Sequence, residues 1–198
     1  DWTKINEFRF SVNRYENRVE EGEPVCIYLD RIAIVDSIPG YVDLDEYWAE
    51  FESDRPDVLL HDFESEADRT WEASFGPKST VEFSFVGPEG PAALEETALQ
   101  VTYKLGDWCD VFYDYRANNS PPDTRDWSEH RGLRFRFYTR KAYQPVTVQV
   151  NDAGNEVFVA NTGGQRGWNE VLVPFEEFGK FVYYQPDDAE QNGRLDLA

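Results

Sequence analysis

The stretch WNEVLVPFEEFGKFVYYQP, residues 168–186, decides how the rest of the chain is read. Trp168, Val171, Val173 and Phe175 recur in the roughly two-residue rhythm of a strand that buries one face. Pro174 confines that strand to an edge or an end, because proline donates no ladder hydrogen bond. Phe178, Phe181, Tyr183 and Tyr184 follow at once, ahead of the polar run Gln185–Asp188. So many flat rings either fill a core or form a surface on which a ligand stacks, and the two readings lead to different functions.

Upstream of this stretch the chain reads almost wholly as strand. Candidate segments are residues 58–64, 71–75, 80–86, 98–105, 108–115, 132–139, 146–151, 156–160 and 169–174. Clusters of Gly, Pro, Asn and Asp at 87–91, 118–122 and 162–167 separate them. Many short strands without interleaved long helices predict an all-β, antiparallel β-sandwich, and closing it as a jelly roll removes open edges. At the other end of the chain, Phe8, Phe10 and Val12 alternate with Glu7, Arg9 and Ser11, and VCIYLDRIAIV (25–35) reads as a second strand. The chain is therefore expected to open as a hairpin. Between them and the body, Leu44, Tyr47, Trp48 and Phe51 fall at helical spacing after Asp43, and Pro56 follows, so one short connector helix is predicted there.

Composition narrows the partners. The formal charge is −20 and the pI near 4.3. Such a field repels phosphate, which makes nucleic acid and anionic membrane poor partners and leaves neutral ligands and cations. No apolar run approaches the ~18 residues of a membrane span. The chain begins at Asp1 without a leader pattern, so any secretion signal is expected to lie outside the sequence. Cys26 and Cys109 form no metal-type spacing, and two buried free thiols are favoured over a disulfide. Catalysis has little support: His61 and His130 are the only histidines, and neither lies in a nucleophile or metal motif. With 39 acidic residues, a carboxylate pair at the roughly 5–9 Å spacing of a glycosidase is expected by chance.

LLHDFES (59–65), DWSEHRGLRFRF (126–137), WNEVLVPFEEF (168–178), YYQPDD (183–188) and GRLDLA (193–198) stand in the order found in the family 11 carbohydrate-binding modules. The chain resembles that family, whose fold is a jelly-roll, galactose-binding-like sandwich, over about two thirds of its length. In the family, strands resembling INEFRF and IYLDRIAIV come after the LDL element, whereas here they lie at residues 5–34, ahead of everything else. Residues 1–36 are therefore expected to be the tail of a preceding tandem copy or a strand pair that completes the sandwich. Residues 37–57 are then the connector and 58–198 the main body. A body lacking two strands exposes unpaired edges. The leading strands are expected to seal it, within one chain as a circular permutant or between chains as a strand-swapped dimer.

The resemblance implies a noncatalytic, extracellular or cell-surface module. It would bind an oligo- or polysaccharide, β-glucan-like or a related plant or algal glycan, in a concave aromatic-lined cleft. It would serve an attached glycoside hydrolase, alongside further modules. The competing reading is a structural sandwich whose rings pack against a catalytic domain. By resemblance the cleft falls on Trp108, Tyr184, Phe75, Asp114 and Asn6, while Phe181 and Tyr183 replace an arginine and an aspartate of the family. Strand alternation adds Asp110 beside Trp108 and Asp114, on the outer face because unpaired carboxylates are expensive to bury. It adds Arg136, Tyr138 and Gln149 on neighbouring strands. Sugars need this mixture, since their C–H faces pack on rings while their hydroxyls bond acids, amides and guanidinium. The blander reading makes Arg136, Asp110 and Asp114 a cross-strand charge network. Trp71, Trp127 and Trp168 are expected to pack in the core or at strand edges. The resemblance also implies a structural Ca²⁺ at Asp30, Asp62 and Glu64, where oxygen ligands suit a hard cation; the alternative is carboxylates on a solvated turn.

Overall fold

Strand follows strand along the chain in a computed structural model that describes residues 5–13, 24–35, 57–65, 69–87, 96–118, 120 and 124–197. The strands are β1 (Glu7–Asn13), β2 (Val25–Val35), β3 (Val58–His61), β4 (Glu72–Phe75), β5 (Thr80–Val86), β6 (Ala98–Lys104), β7 (Trp108–Asp114), β8 (Gly132–Asn151), β9 (Val157–Pro174) and β10 (Gly179–Lys180). The predicted connector helix lies outside the described residues, as does all of the 37–57 connector except Asp57.

All pairings are antiparallel, and they form an all-β sandwich of two layers. The front layer runs β4-β7-β1-β8-β9-β10 and the back layer β5-β6-β2-β8-β9, with β3 also on β2. The layers face each other across rings and aliphatics: Phe10 of β1 meets Phe135 of β8 with centroids 4.8 Å apart. Phe8, Phe10 and Val12, Cys109, Val111 and Tyr113, and Val146, Val148 and Val150 all point into the core from the front. Ile27 and Leu29, Val101 and Tyr103, and Leu133, Phe135 and Phe137 answer from the back. Trp71 and Trp127 are core residues as well.

The first two strands are not each other's partners, so the expected opening hairpin is corrected. β1 lies between β7 and β8 in the front layer, and β2 between β8 and β6 in the back layer. Both are apolar on the inner side, and each gains more by occupying the middle of a layer than by pairing with the other. Along β2 the alternation changes phase. Val25, Ile27 and Leu29 point inward, then Ile32 and Ile34 do. A bulge at Arg31, whose φ is +48°, supplies the extra residue that resets the faces.

A second correction concerns strand length. Residues 132–139 and 146–151 are not two strands but the two halves of the 20-residue β8, and the glycine-rich 162–167 lies inside the 18-residue β9. The first half of β8 pairs with β2 in the back layer and the second half with β1 in the front layer. The register shifts between Thr139 and Tyr143, where the hairpin passes from one layer to the other. The glycines permit that passage and do not end the strand. A Cβ at Gly164 would fall 2.7 Å from the Phe137 ring, so only glycine lets the strand close over the core there.

Cys109 is buried on the inner face of β7 and Cys26 is half-buried on β2; both are free thiols. Burial pushes the Cys109 thiol up to about 11, which makes it inert at neutral pH.

Candidate functional site

A cleft of about 540 Å³ crosses the outer face of the front layer. Register places its floor. Asp110 on β7 stands opposite Ser11 on β1 and Ser74 on β4, and Arg9 opposite Gln149 on β8. Thr147 and Val159 continue the row on β8 and β9. At the spacing of sheet strands the floor from β7 to β9 is roughly 14 Å wide. Trp108 forms one wall, and Phe181, Tyr183 and Tyr184, on the segment after β10, form the other.

The floor is a charge network centred on Arg9. Its Nε donates to Glu7 Oε1 and its Nη1 to Asp110 Oδ2 at 3.1 Å. Its guanidinium carbon sits 4.3 Å from the centre of the Phe112 ring. Ser11 Oγ donates to Asp110 Oδ1. Asp110 is only 7% exposed. It does face outward, but pairing and not exposure resolves the expense of burying it. Desolvation pushes the Asp110 carboxyl up, opposed by the Ser11 hydrogen bond and by Arg9. Desolvation likewise raises Glu7, and Arg9 opposes it. One guanidinium between two carboxylates leaves this floor without positive excess, which suits an uncharged, hydroxyl-rich ligand.

The second wall is held by one amide. Gln185 Oε1 accepts the Val157 N–H at 2.8 Å, while its Nε2 donates to the carbonyls of Val157 and Phe181, both at 2.9 Å. That clamp fastens residues 181–185 to β9 and leaves Tyr183 and Tyr184 exposed by 66% and 60%. Rings so open to water have lost little to solvent that a ligand would not restore.

Five of the ten expected ligand-binding residues therefore line one cleft: Trp108, Asp110, Gln149, Tyr183 and Tyr184. The other five sit elsewhere. Arg136 and Tyr138 lie on the first half of β8, so they face outward from the back layer. Arg136 pairs there with Asp30 at 3.5 Å and covers the Trp168 ring, and Tyr138 packs on Tyr28 and Trp168. Phe75 is opposite Cys109, on the other face of β4 from Ser74, where it is exposed at the sheet edge. Asp114 accepts the N–H groups of Arg116 and Ala117 and so closes a turn. Asn6 is buried and donates to the carbonyls of Asp152 and Ala153. Arg9, Ser11, Asp107 and Val159 line the cleft without having been expected there, and Phe181, placed in it by resemblance, lines it too. Arg9 and Ser11 were visible as the polar phase of β1, but nothing local told which strands would flank it.

The residues named for calcium do not form a cage. Asp62 Oδ1 caps the N–H of Glu64, and Glu64 spends its oxygens on the N–H and hydroxyl of Thr97. Asp30 Oδ2 faces Arg136, and although its Oδ1 is buried without a hydrogen-bond partner, no three acidic, His or Cys side chains converge for a metal among the described residues.

Among the described residues, no helix is long and apolar enough to cross a membrane. Neither the curated proteins nor the solved structures yield a match to the chain. The family model for "Carbohydrate binding domain (family 11)" does match, over residues 40–198, a span that includes every strand from β3 to β10. With the sandwich fold and this match together, the chain belongs to carbohydrate-binding family 11.

Proposed function

We propose that the front cleft is where this noncatalytic carbohydrate-binding module holds its polysaccharide. The carrying observation is the pair of aromatic walls, the half-buried Trp108 and the exposed Tyr183–Tyr184, over a buried polar floor. Pyranose rings lie with their C–H faces on the walls, and their hydroxyls exchange hydrogen bonds with the Arg9–Asp110 network, Thr147 and Gln149. The ligand is a neutral β-glucan or a related plant or algal glycan, since the floor has no cationic excess to attract uronates or sulfates. Acting outside the cell, the module keeps an attached glycoside hydrolase near its substrate by raising effective concentration.

Affinity gels containing β-glucan, mannan, xylan or agar test this. At least one neutral polysaccharide is expected to retard the chain. A buried ring is worth about 1.5–3 kcal/mol, so Trp108→Ala and Tyr184→Ala should each weaken retention roughly 10- to 100-fold with little change in melting temperature. If no polysaccharide retards the protein and the same substitutions lower its melting temperature, the rings are a packing surface for a neighbouring domain.

A further inference from the structure

We infer that Gly76 is a positioning residue for the Trp108 wall: its missing side chain is the seat of the indole. The inference rests on the carbohydrate-binding reading of the cleft for its functional consequence, though not for the geometry. Gly76 directly follows β4 and is buried, and its N–H donates to the Trp108 carbonyl at 2.9 Å. Its φ is not in the left-handed region, which among the described glycines is occupied by Gly167 and Gly193. Nothing in its backbone therefore requires glycine. Space does. A Cβ at position 76 would lie 2.5 Å from Trp108 Nε1 and 2.7 Å from Cδ1, so the ring occupies the volume in which any other residue would place its side chain.

The backbone around this contact is braced. Ser79 N–H donates to the Gly76 carbonyl at 3.1 Å, and Ser79 Oγ accepts the N–H groups of Gly106 and Asp107 at 3.0 and 2.8 Å. Gly106 in turn sits so close to Lys78 that a Cβ there would fall 2.6 Å from the Lys78 carbonyl oxygen. The turns at residues 76–79 and 106–107 are thus tied together by the Ser79 hydroxyl. A methyl added at Gly106 meets backbone and strains both turns. A methyl added at Gly76 meets the half-buried ring at the cleft rim first, and the ring is what yields. Stacking depends on where the ring plane is presented, and sites of this kind tolerate only about 0.5 Å or 10–20° of misplacement. Gly76→Ala should therefore act on the ligand contact through Trp108.

The test reads the ring directly, in the full chain without ligand. Indole N–H resonances are recorded by ¹⁵N NMR, with Trp108 assigned by its loss in Trp108→Phe. Gly76→Ala is expected to shift the Trp108 resonance and leave those of the buried Trp71 and Trp127 in place. Gly87→Ala, where a Cβ meets nothing within 4 Å, should shift none of them. With mixed-linkage β-glucan as the probe, Gly76→Ala is expected to weaken binding about tenfold and to have no further effect in a Trp108→Ala background. An unmoved indole, or an equal loss in that background, overturns the inference. Should wild type not bind this probe, the β-glucan assignment falls while the resonance still decides the role of Gly76. If Gly76→Ala alone does not fold, the Gly76→Ala/Trp108→Ala pair is expected to regain folding because the obstructing ring is gone. Failure of the pair to recover overturns it too.

Discussion

A chain shortened to residues 37–198 is expected not to fold. Residues 1–36 carry β1 and β2, and each has a strand on both sides, β7 and β8 for one, β8 and β6 for the other. Their removal takes Phe8, Phe10, Val12, Val25, Ile27, Leu29, Ile32 and Ile34 out of the core. At about 1.5–3 kcal/mol for each buried side chain these eight contribute roughly 12–24 kcal/mol, against a usual net stability of about 5–15 kcal/mol. The loss exceeds what a domain of this size holds in reserve. It also leaves β8 unpaired along one side and β7 and β6 with new open edges. The family match starts at residue 40 and includes neither strand, so a truncation designed on that match alone would make this defect. Circular dichroism and denaturant titration of the truncated chain provide the check. A cooperative unfolding transition close to that of the full chain would show the leading strands to be an appendage. A synthetic peptide of residues 1–36 added to the truncated chain should restore the transition. Mass measured over a range of concentrations then separates closure within one chain, where it stays monomeric, from exchange of these strands between two chains.

The layers were legible because alternation is a local signal. Phe8 and Phe10, Leu133 to Phe137 and Val146 to Val150 all bury the side that their polarity predicts. What alternation does not carry is which layer a strand occupies. β8 belongs to both layers, and its outward parity changes at the register shift: Arg134 and Arg136 face outward before it, Thr147 and Gln149 after it. Read as two neighbouring strands of one sheet, Arg136 and Gln149 seem to share a face. They are on opposite sides of the molecule, because the passage between layers lies where residues 139–145 of β8 face 163–167 of β9, and the glycines there read locally as loop. Arg9 failed for a related reason. Its polarity was plain, but its partner Asp110 is 101 positions away, and no periodicity in a single sequence pairs positions so far apart. Gln185 and Gly76 leave still weaker marks. One acts through main-chain groups and the other through a side chain it does not have.

Arg9→Met is expected to remove about 3–5 kcal/mol of stability at neutral pH, since breaking one member of a buried ion group leaves its partners uncompensated. Glu7 and Asp110 are 6% and 7% exposed, and both depend on this guanidinium. The sign of the pH response follows from their shifts. Both carboxyls titrate above their ordinary values of 4.5 and 3.8 in the fold, so between those values and the raised ones the folded chain holds protons that the unfolded chain has released. These groups therefore contribute most at low pH and lose that contribution as pH rises through the window. Without Arg9 the folded values rise further and the window widens toward neutrality. The deficit of Arg9→Met, measured by urea unfolding, should then shrink as pH is lowered from about 7 toward 5. A deficit that stays constant over that range would mean that Arg9 matters for packing on Phe112 and not for neutralising the two acids. Replacing the group as a whole separates stability from function. Glu7→Gln/Arg9→Met/Asp110→Asn has no buried charge left to strand and is expected to recover most of the lost stability. It has also lost the charge-assisted donors and acceptors on the floor of the cleft, so polysaccharide retention should stay low in the very variant that folds well again.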